Sequence, residues 1–212
     1  MKELGFDGVN KQDVNAWQTE PDKSRYVAVG IRTVAGVTFP DISYSVRINR
    51  VEELWEDYIS EMGLLSNKGF YKTFGMMLRQ AWPEVKERPD YNTMVSSIAL
   101  EPTEEGVEKF YHLFKFILIE KMFPIGKKLE NIMELDHLMN RSPVEQRALF
   151  TMGKELLLRR LIVARLANNP DWETIFEEGL AETTEREKTD PFFKNYPAVL
   201  TRVHERLKSE QP

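Results

Sequence analysis

Apolar and polar positions alternate most regularly between Ile42 and Ile48, where Ile42, Tyr44, Val46 and Ile48 face one way and Ser43, Ser45 and Arg47 the other. That period of two predicts a half-buried antiparallel strand. The β-branched run from Tyr26 to Val34 predicts a second strand, Gly36 suits a turn, and Pro40 a break or an edge. Residues 1–24 show no sustained period and read as an irregular N-terminal arm packing through Phe6 and Trp17. Residues 25–212 are expected to form a single domain, with a β-hairpin or small sheet over 25–49 and helices over 50–212.

The helical signals follow one another closely. Asn49 suits an N-cap, with Val51, Leu54, Trp55, Tyr58 and Met62 on one stripe that Gly63 stops. Ser66 opens a second predicted helix carrying Phe70, Phe74, Met77, Leu78 and Ala81, ended by Pro83, while 93–100 fits helix or strand. Thr103 opens a long helix to about Phe123, with Pro124 just beyond its end. Val107, Phe110, Tyr111, Phe114 and Leu118 form one apolar face of it, and Phe116, Ile119 and Phe123 another, the mark of a helix sandwiched between layers. Further helices are expected over Lys127–Asn140, over Ser142–Asn168 from its Ser-Pro-Val-Glu start, from an Asp171 cap, and over Ala198–Leu207. The expected fold is α+β and predominantly α-helical: a small N-terminal antiparallel sheet followed by a multi-helix bundle.

Leu156 to Leu166 is apolar on nearly every side, yet Arg159, Arg160 and Arg165 interrupt it. Cations in so greasy a helix need carboxylate partners or a ligand. Snorkelling with ion pairs is the simplest role for them. The functional alternatives are an anion or phosphate-backbone site formed with Arg141, or a protein interface. Asp136 also falls on an apolar stripe, with Ile132, Met133 and Met139. Counting outward from the turn at Asn140-Arg141-Ser142, Asp136 and Arg160 differ in height by about 20 Å at about 1.5 Å per residue. A direct bridge is therefore not expected; Arg147 or a local backbone donor suits Asp136 better, and Arg160 needs another partner.

Composition narrows the field. The chain has 212 residues, 42% of them apolar and 30% charged, which fits a globular protein. No apolar run approaches a membrane span, and the N-terminus carries no signal-like segment, so a cytoplasmic location without membrane association is expected. The absence of cysteine removes disulfides, thiolate nucleophiles and cysteine-ligated metals. This acidic protein's net charge of −5 argues against a surface wholly given to nucleic acid, though not against a local basic groove. Asp171 to Glu187 is strongly acidic and reads as a solvated helix face.

No Walker A loop, Gly-x-Gly-x-x-Gly, Gly-x-Ser-x-Gly or His-Glu-x-x-His is present. Glu134 and His137 have a metal-ligand spacing, but it occurs once and on the polar side of its helix, so no metal and no cofactor are expected. His112 lies one turn after Glu108 and suits a structural role better than acid–base work. The leading expectation is a non-enzymatic protein-interaction module: an adaptor, regulator or assembly component with a protein partner, self-association being open. The alternative is nucleic-acid or polyanion binding through Arg141, Arg159, Arg160 and Arg165. A helical enzyme using His112 and Glu108 is the third reading.

Overall fold

The computed structural model describes residues 2–10, 15–34, 37–64, 71–77, 103–143, 146 and 155–209. They group into two compact units, Met1–Val46 with Phe74–Leu129, and Arg47–Thr73 with Glu130–Pro212. Neither unit is continuous along the chain, so no linker marks them in the composition, which reads as a single domain. The α+β, mainly helical architecture expected from the pattern is present, a small antiparallel sheet preceding the helices.

The first unit holds strands β1 (Gly8–Asn10), β2 (Asn15–Thr19), β3 (Lys23–Val34), β4 (Val37–Ile48, whose last two residues count with the second unit) and β5 (Phe74–Met77), in that order across one sheet. The period-two face of β4 is buried throughout, from Ile42 to Ile48. Two expectations are corrected. The supposed irregular arm contains β1 and β2, paired antiparallel through Gly8↔Trp17, with β2 laid on β3 through Trp17↔Tyr26. Its strand character comes from a partner strand and leaves little local period to read. The helix expected from Ser66 to Ala81 instead contributes β5, with Val46↔Phe74 and Tyr44↔Met76 in register. Phe74 and Met76 are both buried, two residues apart; a short apolar run of this kind fits either period. The rest of that expected helix, 66–70 and 78–81, and the undecided stretch 93–100 lie outside the described residues.

A single-turn helix, α1 (Asn49–Glu52), precedes the long helix α2 (Glu104–Phe116) in the chain. The Thr103 hydroxyl accepts from the Gly106 N–H at 3.1 Å, the cap its sequence predicts. Beyond Phe116 the chain does not stop. It widens into a π-helical stretch, Ile117–Met122, and continues as α3 (Phe123–Leu129) through Pro124. Proline lacks an N–H and crowds the carbonyl four residues back, so it breaks a tight helix. Here the Phe123 N–H already reaches back five residues to the Leu118 carbonyl, in a widened turn that accommodates the ring.

That turn also shifts the helical phase, and of the second predicted apolar face Phe123 is packed while Phe116 and Ile119 are part-exposed. Phe114, Ile117, Leu118 and Met122 are buried, whereas Val107, Tyr111, Phe116 and Ile119 are exposed by 37–51%. Phe123 packs on Phe6 and Tyr44, with ring centroids 6.0 and 5.4 Å apart.

The second unit opens with α1, a single turn, and then a run of turns that includes a 3-10 segment over Glu56–Tyr58 and ends at Gly63, whose φ is 65°. The continuous helix expected over this stretch is absent, although Val51, Leu54, Trp55 and Met62 of its stripe are buried. Asn49 is not the cap; its side chain accepts from Arg47 Nε at 3.1 Å, and Ile48 holds the cap position. The helix expected over Lys127–Asn140 is interrupted by Asn131, whose side chain accepts from the Met133 N–H and starts α4 (Ile132–Asp136) afresh. A π-helical turn follows over His137–Arg141, then α5 (Leu156–Leu166), α6 (Trp172–Glu187) and α7 (Tyr196–Ser209). Val144 and Glu145 of the predicted capping box lie outside the described residues. Leu158, Leu161, Ile162, Val163, Val199, Leu200 and Val203 form the core of this unit. Glu177, Glu178, Glu182, Glu185 and Glu187 of α6 are exposed, a solvated acidic face.

Gly126 of α3 lies so close to the Tyr44 ring that a Cβ there would overlap it. Alanine in a helix interior is ordinarily worth about 1 kcal/mol over glycine. Because Tyr44 is buried, Gly126→Ala is expected to reverse that sign and destabilise the protein by about 1–3 kcal/mol, the usual range for overpacking. The urea unfolding midpoint measures it; a rise in midpoint contradicts this packing.

Candidate functional site

Arg159 and Glu52 meet inside the second unit, although 107 residues separate them in sequence. A side chain as long as arginine's reaches inward from α5, and the single turn of α1 aims the Glu52 carboxylate at it. Arg159 Nε donates to Glu52 Oε1 at 3.0 Å, and its NH2 donates to Glu52 Oε2 at 3.0 Å, a side-on fork. Its NH1 donates to Glu155 Oε2 at 3.3 Å, one turn earlier on the chain. The Trp55 indole Nε1 donates to Glu52 Oε2 at 3.2 Å, and the guanidinium lies 5.4 Å from the Trp55 ring centroid. Glu52 is fully buried and Arg159 nearly so. Burial works against the guanidinium's charge, yet Glu52 and then Glu155 outweigh it, and the Arg159 pKa is held above its ordinary value.

A second buried fork lies in the same unit. Arg47 NH1 donates to Glu56 Oε1 at 2.5 Å and its NH2 to Glu56 Oε2 at 3.0 Å, with the Tyr71 carbonyl accepting from NH1 at 3.3 Å. The Tyr71 ring sits edge-on to Trp55, with centroids 4.9 Å apart. Next to it, Lys72 feels Arg47, Glu52 and Glu56; burial foremost, then Arg47, lowers its pKa to about 8. Burial raises the phenol of Tyr71, and likewise that of Tyr196. Arg47, Lys72 and Arg159 thus face Glu52, Glu56 and Glu155, and the cluster is balanced in charge. Each guanidinium in it already meets a carboxylate of its own chain.

Asp136 is buried as its phase predicts, and its partners are amides. Asn169 Nδ2 donates to both of its oxygens at 3.1 and 3.0 Å, and Asn140 Nδ2 to Oδ1 at 2.8 Å. Arg141 Nε stands 3.5 Å away. Asn140 also accepts from Arg160 Nε at 3.0 Å and donates to the Arg160 carbonyl at 3.1 Å. Asp136 and Arg160 are therefore joined through one amide rather than directly. Arg147 lies outside the described residues.

The four arginines do not converge. Arg159 turns inward to Glu52, Arg160 and Arg141 meet the Asn140–Asp136 pair, and Arg165 donates from Nε to the Leu207 carbonyl at 3.2 Å. Arg165 also lies 4.9 Å from the Trp172 ring centroid and meets the last turn of α7, where a cation suits the helix C-terminus. Neighbours on α5 point about 100° apart at about 3.6 residues per turn, which sends Arg159 and Arg160 to different surroundings.

Among the histidines, His112 stands 3.9 Å from Glu108 on the open side of α2, both side chains largely exposed. His137 is exposed, and among the described residues no three His, Asp or Glu side chains are grouped to hold a metal. His204 is buried, stacked on Phe176 at 3.7 Å with its Nε2 2.7 Å from Glu173 Oε2. Among the described residues no helix is long and apolar enough to cross a membrane. Sequence reading missed Arg47, Glu52, Glu56 and Lys72: Arg47 sits on the polar face of a strand, and Glu52 resembles an ordinary helix-start carboxylate. The one local clue was Glu52 lying between Val51 and Leu54-Trp55.

No family of proteins matches the chain, and neither a curated protein nor a solved structure is detectably similar to it.

Removing Arg159 leaves two buried carboxylates without their main donor. Arg159→Met is expected to cost about 3–5 kcal/mol by urea denaturation, the range for breaking a buried pair; a cost below about 1 kcal/mol contradicts the pairing, since that is the range of exposed pairs. Lys72 sets a pH dependence. The folded protein releases its proton near pH 8 and the unfolded chain only near 10.5. Between them the unfolded state binds more protons, so stability rises with pH. Above pH 10, the raised pKa of Tyr71 and of Tyr196 gives the opposite sign, because the unfolded chain ionises first. Urea midpoints are expected to climb from pH 8 towards 10 in the native protein and to lose that climb in Lys72→Met. A native profile that is flat or falling there contradicts the assignment.

Proposed function

We propose that this chain acts by docking onto another polypeptide, as an adaptor, regulator or assembly component, and that the solvent side of α2 and its π-helical extension is the docking face. The observation that carries the reading is the partial exposure, by 37–51%, of the large apolar side chains Val107, Tyr111, Phe116 and Ile119 along one helix. The other exposed large apolar side chains described, Trp17 and Met133, lie elsewhere, so the exposure is concentrated here. Apolar surface in water costs about 25 cal/mol per Å², and a concentration of it rimmed by charge is the usual mark of an interaction site. Glu108, Lys109, His112 and Lys115 supply that rim, and a tyrosine and a phenylalanine are typical interface anchors.

The two other readings draw less support. Acid–base work by His112 and Glu108 needs a hydrogen bond and a site closed to water, and the pair stands 3.9 Å apart on an open face. Polyanion binding through Arg141, Arg159, Arg160 and Arg165 loses Arg159 to Glu52 and Glu155.

A photo-reactive residue in place of Tyr111, compared with one in place of Glu178 on the acidic face of α6, tests the reading in the native cell. The expected result is a discrete protein adduct from position 111 and none from 178. An adduct containing nucleic acid, or equal labelling at both positions, contradicts it.

A further inference from the structure

We infer that the polypeptide docking on this helix is a second copy of the chain, laid antiparallel to the first. This rests on the docking reading above and adds the identity of the partner. The order of charge along the helix carries it. Glu104, Glu105 and Glu108 outnumber Lys109 in the first turns, and Lys115 and Lys121 outnumber Glu120 towards the other end. A parallel copy sets acid against acid and base against base. A reversed copy sets acid against base twice over, because a two-fold interface makes each contact twice. The helix dipoles also oppose favourably in that arrangement.

The apolar positions fit the same reversal. Val107, Tyr111 and Lys115 succeed one another at intervals of four along one ridge of α2, and Ile119 follows in the π-helical stretch. A two-fold axis passing at the level of Leu113 places Val107 against Ile119 of the other copy. It places Tyr111 against Lys115, a ring against an ammonium group, with Glu108 one turn further along. Within the chain, Glu3 already shows the pairing chemistry of this spot: its Oε2 accepts from the Tyr111 hydroxyl at 3.2 Å and lies 3.7 Å from Lys115 Nζ. Glu3 is itself largely exposed, so it holds this place loosely and yields it to a carboxylate of the other copy.

The size of the face sets the strength. From Glu104 to Met122 the helix is about 28 Å long at about 1.5 Å per residue. One such ridge covers less than the roughly 800 Å² per partner of a standard interface, so the dimer belongs in the micromolar range or weaker.

Sedimentation equilibrium of the full chain, from about 1 to about 500 μM at low salt, reads the dimer across that range. Lys115→Glu and Glu108→Lys each turn two attractive contacts repulsive and are expected to weaken association about tenfold. The two together re-create the pairs with signs exchanged and are expected to restore it to within about threefold. Both substitutions lie on exposed or half-exposed positions, and a second measurement does not depend on them. The chain has no cysteine, so His112→Cys introduces one thiol near the axis, which is expected to form a disulfide dimer on mild oxidation. Glu104→Cys, far from the axis, is expected not to; a parallel pair gives a disulfide at both positions. A monomer at every concentration overturns the inference, as does a dimer indifferent to the single reversals, weakened by them without rescue, or cross-linked equally at 104. A monomer whose position 111 labels a different protein removes the second copy and leaves the docking reading standing; no adduct at all removes both.

Discussion

Arg159 is the constraint around which the second unit is arranged. A guanidinium cannot shed its charge under ordinary conditions, so burying it fixes what surrounds it. Glu52 and Glu155 must lie in reach, and the single turn of α1 must lie against α5 to bring Glu52 there. Trp55 then closes the arrangement by donating to Glu52 and lying beneath the cation. An isolated buried charge costs many kcal/mol, whereas a well-forked pair roughly cancels its own desolvation. The pair therefore contributes less net stability than it contributes discrimination: any packing that separates α1 from α5 strands charges in an apolar interior.

The same geometry bears on function. An arginine committed on the inside to two carboxylates of its own chain has little left for a phosphate. The neighbouring Arg47–Glu56 fork and Lys72 repeat the principle, with cations matched to carboxylates inside one unit. Among the described residues, the part-exposed apolar side chains Val107, Tyr111, Phe116 and Ile119 belong instead to the first unit.

How much of this could be read in the sequence depended on how local the physics was. The strand face Ile42, Tyr44, Val46 and Ile48 was legible because alternation alone places it. The Thr103 cap and the burial of Asp136 were legible for the same reason, since both follow from phase and spacing within a few residues. Strands β1 and β2 were not, because their character comes from pairing with β3 rather than from their own pattern. The passage of the helix through Pro124 was hidden too: the widened turn over Ile117–Met122 changes the phase that a constant period of 3.6 assumes. Arg159 announced its need for partners, but Glu52 lies 107 residues away and nothing in one sequence joins them. The amides that bind Asp136 were not legible, because Asn140 reads as a turn residue and Asn169 lies 33 residues away.

The central claim is that Arg159 and Glu52 are coupled inside the fold, and a double-mutant cycle measures that coupling itself. Arg159→Met, Glu52→Gln and the combined protein, compared with the native by urea unfolding at neutral pH, isolate the pair from the Glu155 contact, which is present in both corners that keep Arg159 and so cancels. A coupling energy of about 2–3 kcal/mol, with the combined protein more stable than the sum of single losses allows, is the expected result. Losses that add to within about 0.5 kcal/mol would show that the two side chains do not sense each other, and the arrangement described here would be wrong.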